Sequence, residues 1–268
     1  MAERSQSARS LLLTLLGEYA LPAGFPAWTT AFVGVLGGLG VEATAARQAL
    51  ARTASAGWLA AERDGRRTRW RLTEAGTQLL SDGARRIYGF APSSVAWDGR
   101  WLVLLVSVPE RRREARHALR TRLAWAGFGS PAPGVWISAN AAAEADAKQV
   151  LTDLGLDAEA ASFVGPNAGI GSASEMVARA WDLAAVARHY EEFLALVGGL
   201  APAGGWATLL AQARLVHAWR RMPLIDPQLP AELLPPDWIG RRAAGAFRDR
   251  HEAWTPLART SWAALAAG

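Results

Sequence analysis

Apolar residues recur at helical spacing through the first third of the chain. Leu11, Leu12, Leu15 and Leu16 fall at i, i+1, i+4 and i+5 and predict one face of a helix. Residues 28–39 predict a second, apolar helix preceded by Pro26, and residues 42–56 a third, closed by Gly57. The period then drops to two. Residues 58–62 and 68–72 flank Arg63-Asp64-Gly65-Arg66-Arg67, and Asp-Gly between two such runs predicts a hairpin. In its second strand Thr68, Trp70 and Leu72 share one face, while Arg67, Arg69 and Arg71 share the other.

Beyond residue 90 the pattern alternates. Residues 101–108 are almost wholly apolar and stop at Pro109, a buried strand by this reading. Residues 110–126 predict an arginine-rich helix, residues 128–137 two short extended pieces, residues 141–154 a helix and residues 161–164 a last strand. Strand–helix–strand–strand–helix–strand is the ferredoxin-like order. The last third predicts helices over 173–197, 206–221 and 240–267, with a proline-rich segment at 223–236. The expected class is α+β. A winged helix-turn-helix occupies residues 1–90, since helix–helix–helix–hairpin is its order, and a ferredoxin-like domain residues 91–168. A helical domain occupies residues 169–268.

Composition removes several function classes. There is no cysteine, so disulfides and thiolate metal sites are excluded. His117, His189, His217 and His251 are scattered and no His-Glu-x-x-His occurs, so no metal site is expected. Residues 19–41 and 193–213 carry no charge and are long enough to span a bilayer. Pro22, Gly24 and Pro26 interrupt the first, and Gly198, Gly199 and Pro202 the second, so neither is expected in a membrane. Arg4 and Arg9 before apolar residues 10–16 imitate a secretory leader. That core is at the short limit and Glu18 closes it, so a helix and a cytoplasmic location are expected instead.

Charge then points to a partner. The net charge is +5, and Lys148 is the only lysine among 29 cationic residues. Genomic base composition can favour arginine, but arginine also gives planar, bidentate contacts to phosphate and guanine. Residues 1–90 hold 11 arginines against 7 acids, whereas residues 91–165 balance 8 with 8. The basic excess marks the first third as the nucleic-acid module. On the third helix Thr44, Gln48, Arg52 and Ser55 follow one another at spacings of four and three, with Arg47 beside them. Ala46, Leu50 and Thr53 lie toward the opposite side. A recognition helix needs this division, because arginine reads guanine and glutamine reads adenine in the major groove. Arg66, Arg67 and Arg69 at the hairpin tip are placed to neutralise phosphates or to enter the minor groove. The bland alternative is a solvated helix face and a charged edge strand.

Two further motifs stand out. Arg111-Arg112-Arg113 opposes the macrodipole at a helix start and asks for a reason: DNA backbone, a partner subunit, or solvation alone. Near the end, Arg214, His217 and Arg221 lie one helical turn apart, with Arg220 and Trp219 alongside. They suit an anionic ligand, or a structural pairing with Asp226 and Asp237. No carboxylate pair or serine–histidine spacing points to catalysis.

These motifs resemble the PaaX-type repressors of phenylacetic acid catabolism. The matching pieces run in order: Ala46-Arg47-Gln48-Ala49-Leu50-Ala51-Arg52, Gly57-Trp58-Leu59, Leu72-Thr73-Glu74-Ala75-Gly76, Arg86-Ile87-Tyr88-Gly89, Trp97-Asp98-Gly99-Arg100-Trp101, Val108-Pro109-Glu110, Gly127-Phe128-Gly129, Val135-Trp136-Ile137-Ser138 and the block at 214–238. The resemblance implies a winged-helix DNA-binding domain, a central domain like that of small CRISPR-associated endoribonucleases, and a helical C-terminal domain. It implies a non-enzymatic repressor of a catabolic operon, without cofactor, released by an aryl-acyl-CoA such as phenylacetyl-CoA. The partners expected are double-stranded operator DNA, that effector and a second copy in a homodimer. Arg214, His217, Arg220 and Arg221 are the expected effector contacts. Two positions depart from the family. Glu42 stands where a hydroxyl cap is usual, and Ser107 where aspartate is common on the first central strand. The rival readings are a ligand-independent DNA-binding protein and a nuclease built on the central domain, which would need strand carboxylates.

Overall fold

A computed structural model describes residues 7–92 and 96–268. Arg4, half of the leader-like pattern, lies outside them. In chain order the elements are α1 (Ala8–Leu15), a π-helical turn (Leu16–Ala20), α2 (Leu21–Ala23), β1 (Ala27–Trp28), α3 (Thr29–Gly38), α4 (Ala43–Ser55), β2 (Leu59–Asp64), β3 (Arg67–Leu72) and α5 (Glu74–Tyr88). There follow β4 (Arg100–Val106), α6 (Arg113–Trp125), β5 (Gly129–Ala132), β6 (Val135–Ser138), α7 (Glu144–Leu154), β7 (Ala160–Pro166) and α8 (Ala173–Ala180). The last are α9 (Leu183–Gly198), α10 (Gly205–Trp219), α11 (Met222–Ile225) and α12 (Ile239–Ala267). The protein is α+β, with two antiparallel sheets among many helices.

The described residues form two compact units. The first joins residues 1–90 to residues 193–221 and 245–268. Its sheet has the order β1-β3-β2, and the hairpin register runs from Leu59 opposite Leu72 to Asp64 opposite Arg67. Gly65 opens the turn at φ +57°, a conformation glycine adopts without steric cost. The core is one apolar cluster. Leu12, Leu15, Phe32, Leu36 and Leu50 meet Leu209 of α10 and Ala258 and Trp262 of α12. The Trp262 ring stacks on Tyr19 at 5.6 Å and meets Phe32 edge-on at 5.1 Å.

α5 had no counterpart in the periodicity reading. Thr73 starts it: its hydroxyl accepts from the Gly76 N–H and donates to the Gly57 carbonyl. A Cβ on Gly76 would sit 2.1 Å from the Trp58 carbonyl oxygen, so glycine is required where this helix crosses the strand entry. Leu79, Leu80, Gly83, Ala84 and Ile87 supply its apolar stripe, diluted by the glycines, Ser81 and Asp82.

The second unit holds residues 91–192 and 222–244. Its four strands have the order β5-β6-β4-β7, all neighbours antiparallel, with α6 and α7 as the crossovers between them. Leu102, Leu104 and Val106 pack against Leu119 and Leu123 of α6 and Leu151 of α7. The helix expected over 173–197 is two helices. Trp181 leaves the helical conformation, and the Asp182 carboxylate accepts from the Ala185 N–H to start α9. A Cβ on Gly129 would come within 2.4 Å of the Trp181 ring, so that glycine makes room for the break. Among the described residues no helix is long and apolar enough to cross a membrane.

Candidate nucleic-acid interface

α4 divides its side chains cleanly. Ala46, Ala49, Leu50 and Thr53 are buried, and the Thr53 hydroxyl donates to the Ala49 carbonyl at 2.7 Å, so one face is fixed to the core. Thr44, Arg47, Gln48, Ala51, Arg52 and Ser55 form an exposed stripe on the other. Among the described residues the side chains of Arg47, Gln48 and Arg52 have no hydrogen-bond or ion-pair partner. Ala51 keeps the centre of the stripe low, so an approaching surface can reach the longer side chains around it. Glu42 makes no side-chain cap, as its residue type implies.

The hairpin treats its arginines unequally. Arg66 is exposed at the turn and has no partner among the described residues. The Arg67 guanidinium lies 3.9 Å from the centre of the Trp28 ring. Arg69 and Arg71 both pair with Glu62, at 3.0 and 2.9 Å. The three expected tip residues thus comprise one unengaged, one stacked and one ion-paired guanidinium.

The 214–221 cluster separates. His217 is 7% exposed, and its Nδ1 lies 2.9 Å from the Thr14 hydroxyl. Arg220 donates to that hydroxyl at 3.0 Å and to the Ser10 carbonyl at 2.9 Å. Burial, then the charges of Arg220 and Arg221, push the His217 ring down to about 4, so it is neutral at pH 7. Arg214 is exposed and reaches the Gly38 carbonyl at 3.4 Å, and Arg221 is exposed. The structure therefore brings Arg220 and His217 together and leaves Arg214 and Arg221 at the surface. Asp226 accepts from the Tyr190 hydroxyl and the Gln228 N–H, each at 2.6 Å, and burial raises its carboxyl.

The arginine run at 111–113 finds a use that its sequence did not reveal. Arg112 donates to the Leu154 carbonyl at 2.6 Å and the Gly155 carbonyl at 3.0 Å. A guanidinium so placed satisfies the open carbonyls at the end of α7 and favours that end of its dipole.

A buried polar cluster also escaped the sequence reading. The π-turn aims Glu18, which is 2% exposed, into the first unit. Its carboxylate accepts from the Tyr88 hydroxyl and from Gln212 Nε2 at 2.6 Å, and lies 3.0 Å from His251 Nε2. Burial, then the Glu18 charge, raise the Tyr88 phenol. The partners lie 70 to 233 residues apart in sequence, so no local motif announces them. Among the described residues no three acids or histidines gather where a metal ion would fit.

Three family descriptions match successive parts of the chain: PaaX-like protein over residues 7–76, the PaaX protein central Cas2-like domain over 94–177, and the PaaX-like protein C-terminal domain over 181–264. The transcriptional repressor PaaX of Escherichia coli K12 is 31% identical over 248 residues, covering 88% of this chain and 77% of that protein. An uncharacterized protein of Mycobacterium tuberculosis, Rv0674, shares the fold with a TM-score of 0.63 at 24% identity, over 95% of this chain and 98% of that one. The named relative is a regulator rather than an enzyme. With matches spanning nearly its whole length, the chain belongs to the PaaX-type family of transcriptional repressors.

Proposed function

We propose that the protein represses a catabolic operon by binding double-stranded operator DNA, acts in the cytoplasm, and is released by an aryl-acyl-CoA such as phenylacetyl-CoA. The observation that carries this reading is the uncommitted stripe of α4. Its arginines and glutamine are held out by a buried opposite face and spend nothing on internal partners. In this reading residues 1–90 are a winged helix-turn-helix. Thr44, Arg47, Gln48 and Arg52 read bases, while Arg66, Arg67 and Arg69 grip backbone.

Residues 91–168 serve as a ferredoxin-like dimerisation domain. The edge position of β7 supports this, since Phe163 and Val164 on it are exposed and need cover. Residues 169–268 receive the effector through Arg214, His217, Arg220 and Arg221. The placement of α10 and α12 in the same core as α4 supports a route from effector to DNA. The E. coli relative's name supports the repressor role. Gel-shift titration of the protein on the DNA upstream of its own gene and of neighbouring operons tests the reading. Binding that phenylacetyl-CoA relieves is expected, and a protein that binds none of these sites more tightly than unrelated DNA would overturn it. Light scattering tests the dimer, and a 28.6 kDa monomer at micromolar concentration would sink that part.

A further inference from the structure

Within the first unit, α1 and its π-turn, α5 and α10 border a partly open cavity of about 250 Å³. Leu13, Leu79, Leu80, Ile87 and Val216 line it, together with Trp58 at the entry to the hairpin. Glu18, Tyr88, Thr14 and Arg220 supply its polar atoms. Three of these four are already used. Both Glu18 oxygens accept hydrogen bonds, the Tyr88 hydroxyl donates to that carboxylate, and the Thr14 hydroxyl holds His217 and Arg220. Arg220 spends only one terminal nitrogen, on Ser10 and Thr14. Among the described residues no carboxylate pairs with it. A half-buried guanidinium with unused donors and no counter-charge, set in an apolar wall, is costly unless something accepts from it. Desolvation already lowers its pKa.

We propose that this cavity binds a small apolar aryl or acyl group whose oxygen accepts from Arg220. Its size lies below the about 300–1,000 Å³ of sites for drug-sized ligands, so a nucleotide does not fit inside it. The group is either a free carboxylic acid or the acyl end of a thioester whose remainder stays outside. The site is wired to the DNA-binding surface. Trp58 precedes β2, Gly76 of α5 rests on the Trp58 carbonyl, and α1 packs on α4 through the common core. A ligand that wedges α5 from α1 therefore moves the hairpin and the α4 stripe together. Only this consequence rests on the repressor reading, and the binding itself does not.

Calorimetry on the full chain with phenylacetate, phenylacetyl-CoA and coenzyme A alone tests the site. Two variants accompany wild type: Ala84→Leu, which fills the cavity from α5, and Ile87→Phe as a second filling in case the first does not fold. The acid or the thioester should bind wild type, coenzyme A should not, and each folded variant should lose about ten-fold or more in affinity. Binding of the acid identifies a free metabolite as the source, and binding of the thioester alone identifies the acyl end. Undiminished binding of phenylacetyl-CoA to a variant that melts like wild type overturns this site and leaves the repressor reading standing. The absence of binding by both probes overturns it too. Failure of the wild-type protein to bind upstream DNA, with the cavity results as expected, removes the repressor reading alone.

Discussion

The arginines of α4 and Arg220 of the 214–221 stretch look alike in sequence and are placed in opposite ways. Arg47 and Arg52 stand on a helix whose other face is buried, and no group in the described chain claims them. Arg220 is drawn into the fold, where it holds the Ser10 carbonyl and the Thr14 hydroxyl beside a neutral His217. In a chain with a single lysine, every structural and every recognition task that needs a cation falls to arginine. Composition therefore marks neither task. What separates them is whether any donor of the guanidinium is engaged inside the protein. Arg112, spent on the end of α7, belongs with Arg220. Arg66 belongs with Arg52.

The largest effect that would break this division is on stability. Arg220→Ala leaves the Ser10 carbonyl and the Thr14 hydroxyl without their charged donor in a largely buried place. It should cost about 3 kcal/mol, read as a lower urea midpoint at unchanged slope. A variant as stable as wild type would place Arg220 among the uncommitted arginines.

Arg52→Ala is the converse. It should cost about 1–3 kcal/mol of operator binding and relax specificity at one base pair. Its stability should stay within about 0.5 kcal/mol of wild type, since the side chain touches nothing inside the protein. A parallel urea titration and gel shift on the same preparation separate the two quantities. Loss of stability without loss of specificity would mean that the stripe is only a solvated face.

The two sides of the comparison were not equally legible. The α4 stripe, the hairpin and the strand–helix order of residues 100–166 follow from local spacing, because burial of one face imposes a period on the residues that form it. The expected Gly57 cap and the weak Glu42 cap follow from residue type alone. The partners of Arg220, His217 and Glu18 do not, because they join positions 70 to 233 residues apart. Arg214, His217 and Arg221 share a helical spacing, yet only His217 turns inward, because α1 meets α10 on that side. α5 was hidden for a different reason. Its stripe is thinned by Gly76 and Gly83, and the first of these is there for close approach to Trp58 rather than for helix propensity.

pH probes the committed side without mutation. His217 is depressed to about 4 in the fold, first by burial and then by two arginines, against about 6.5 in the unfolded chain. Its contribution is complete above pH 6.5. As pH falls from there toward 4, the unfolded chain takes up the proton and the fold does not, so stability is lost across that window. Allowing for partial solvent access, about 1–2 kcal/mol should disappear between pH 7 and pH 5. His217→Gln should flatten the loss in urea titrations at the two pH values. An unchanged profile in that variant would assign the acid sensitivity to other groups.

The smallest effect sharpens the boundary between the two kinds of arginine. On the hairpin Glu62 holds Arg69 and Arg71 at once, and all three side chains are at least one-third exposed. An exposed pair of this kind contributes little to stability, about 0–1 kcal/mol, so Glu62→Gln should barely move the melting curve. It should, however, release two guanidinium groups and remove a negative charge from the surface proposed above to grip phosphates. Binding to all DNA sequences should strengthen a few-fold at low salt, and the slope of log affinity against log salt should steepen by about one unit per added contact. Arg66→Ala, which removes a guanidinium that has no internal partner, should shift the slope by about one unit the other way. If Glu62→Gln leaves the slope unchanged while Arg66→Ala flattens it, then Arg69 and Arg71 are structural in the complex as well as in the free protein. The division between spent and unspent arginines would then run through the hairpin itself, between the turn and the strand that follows it.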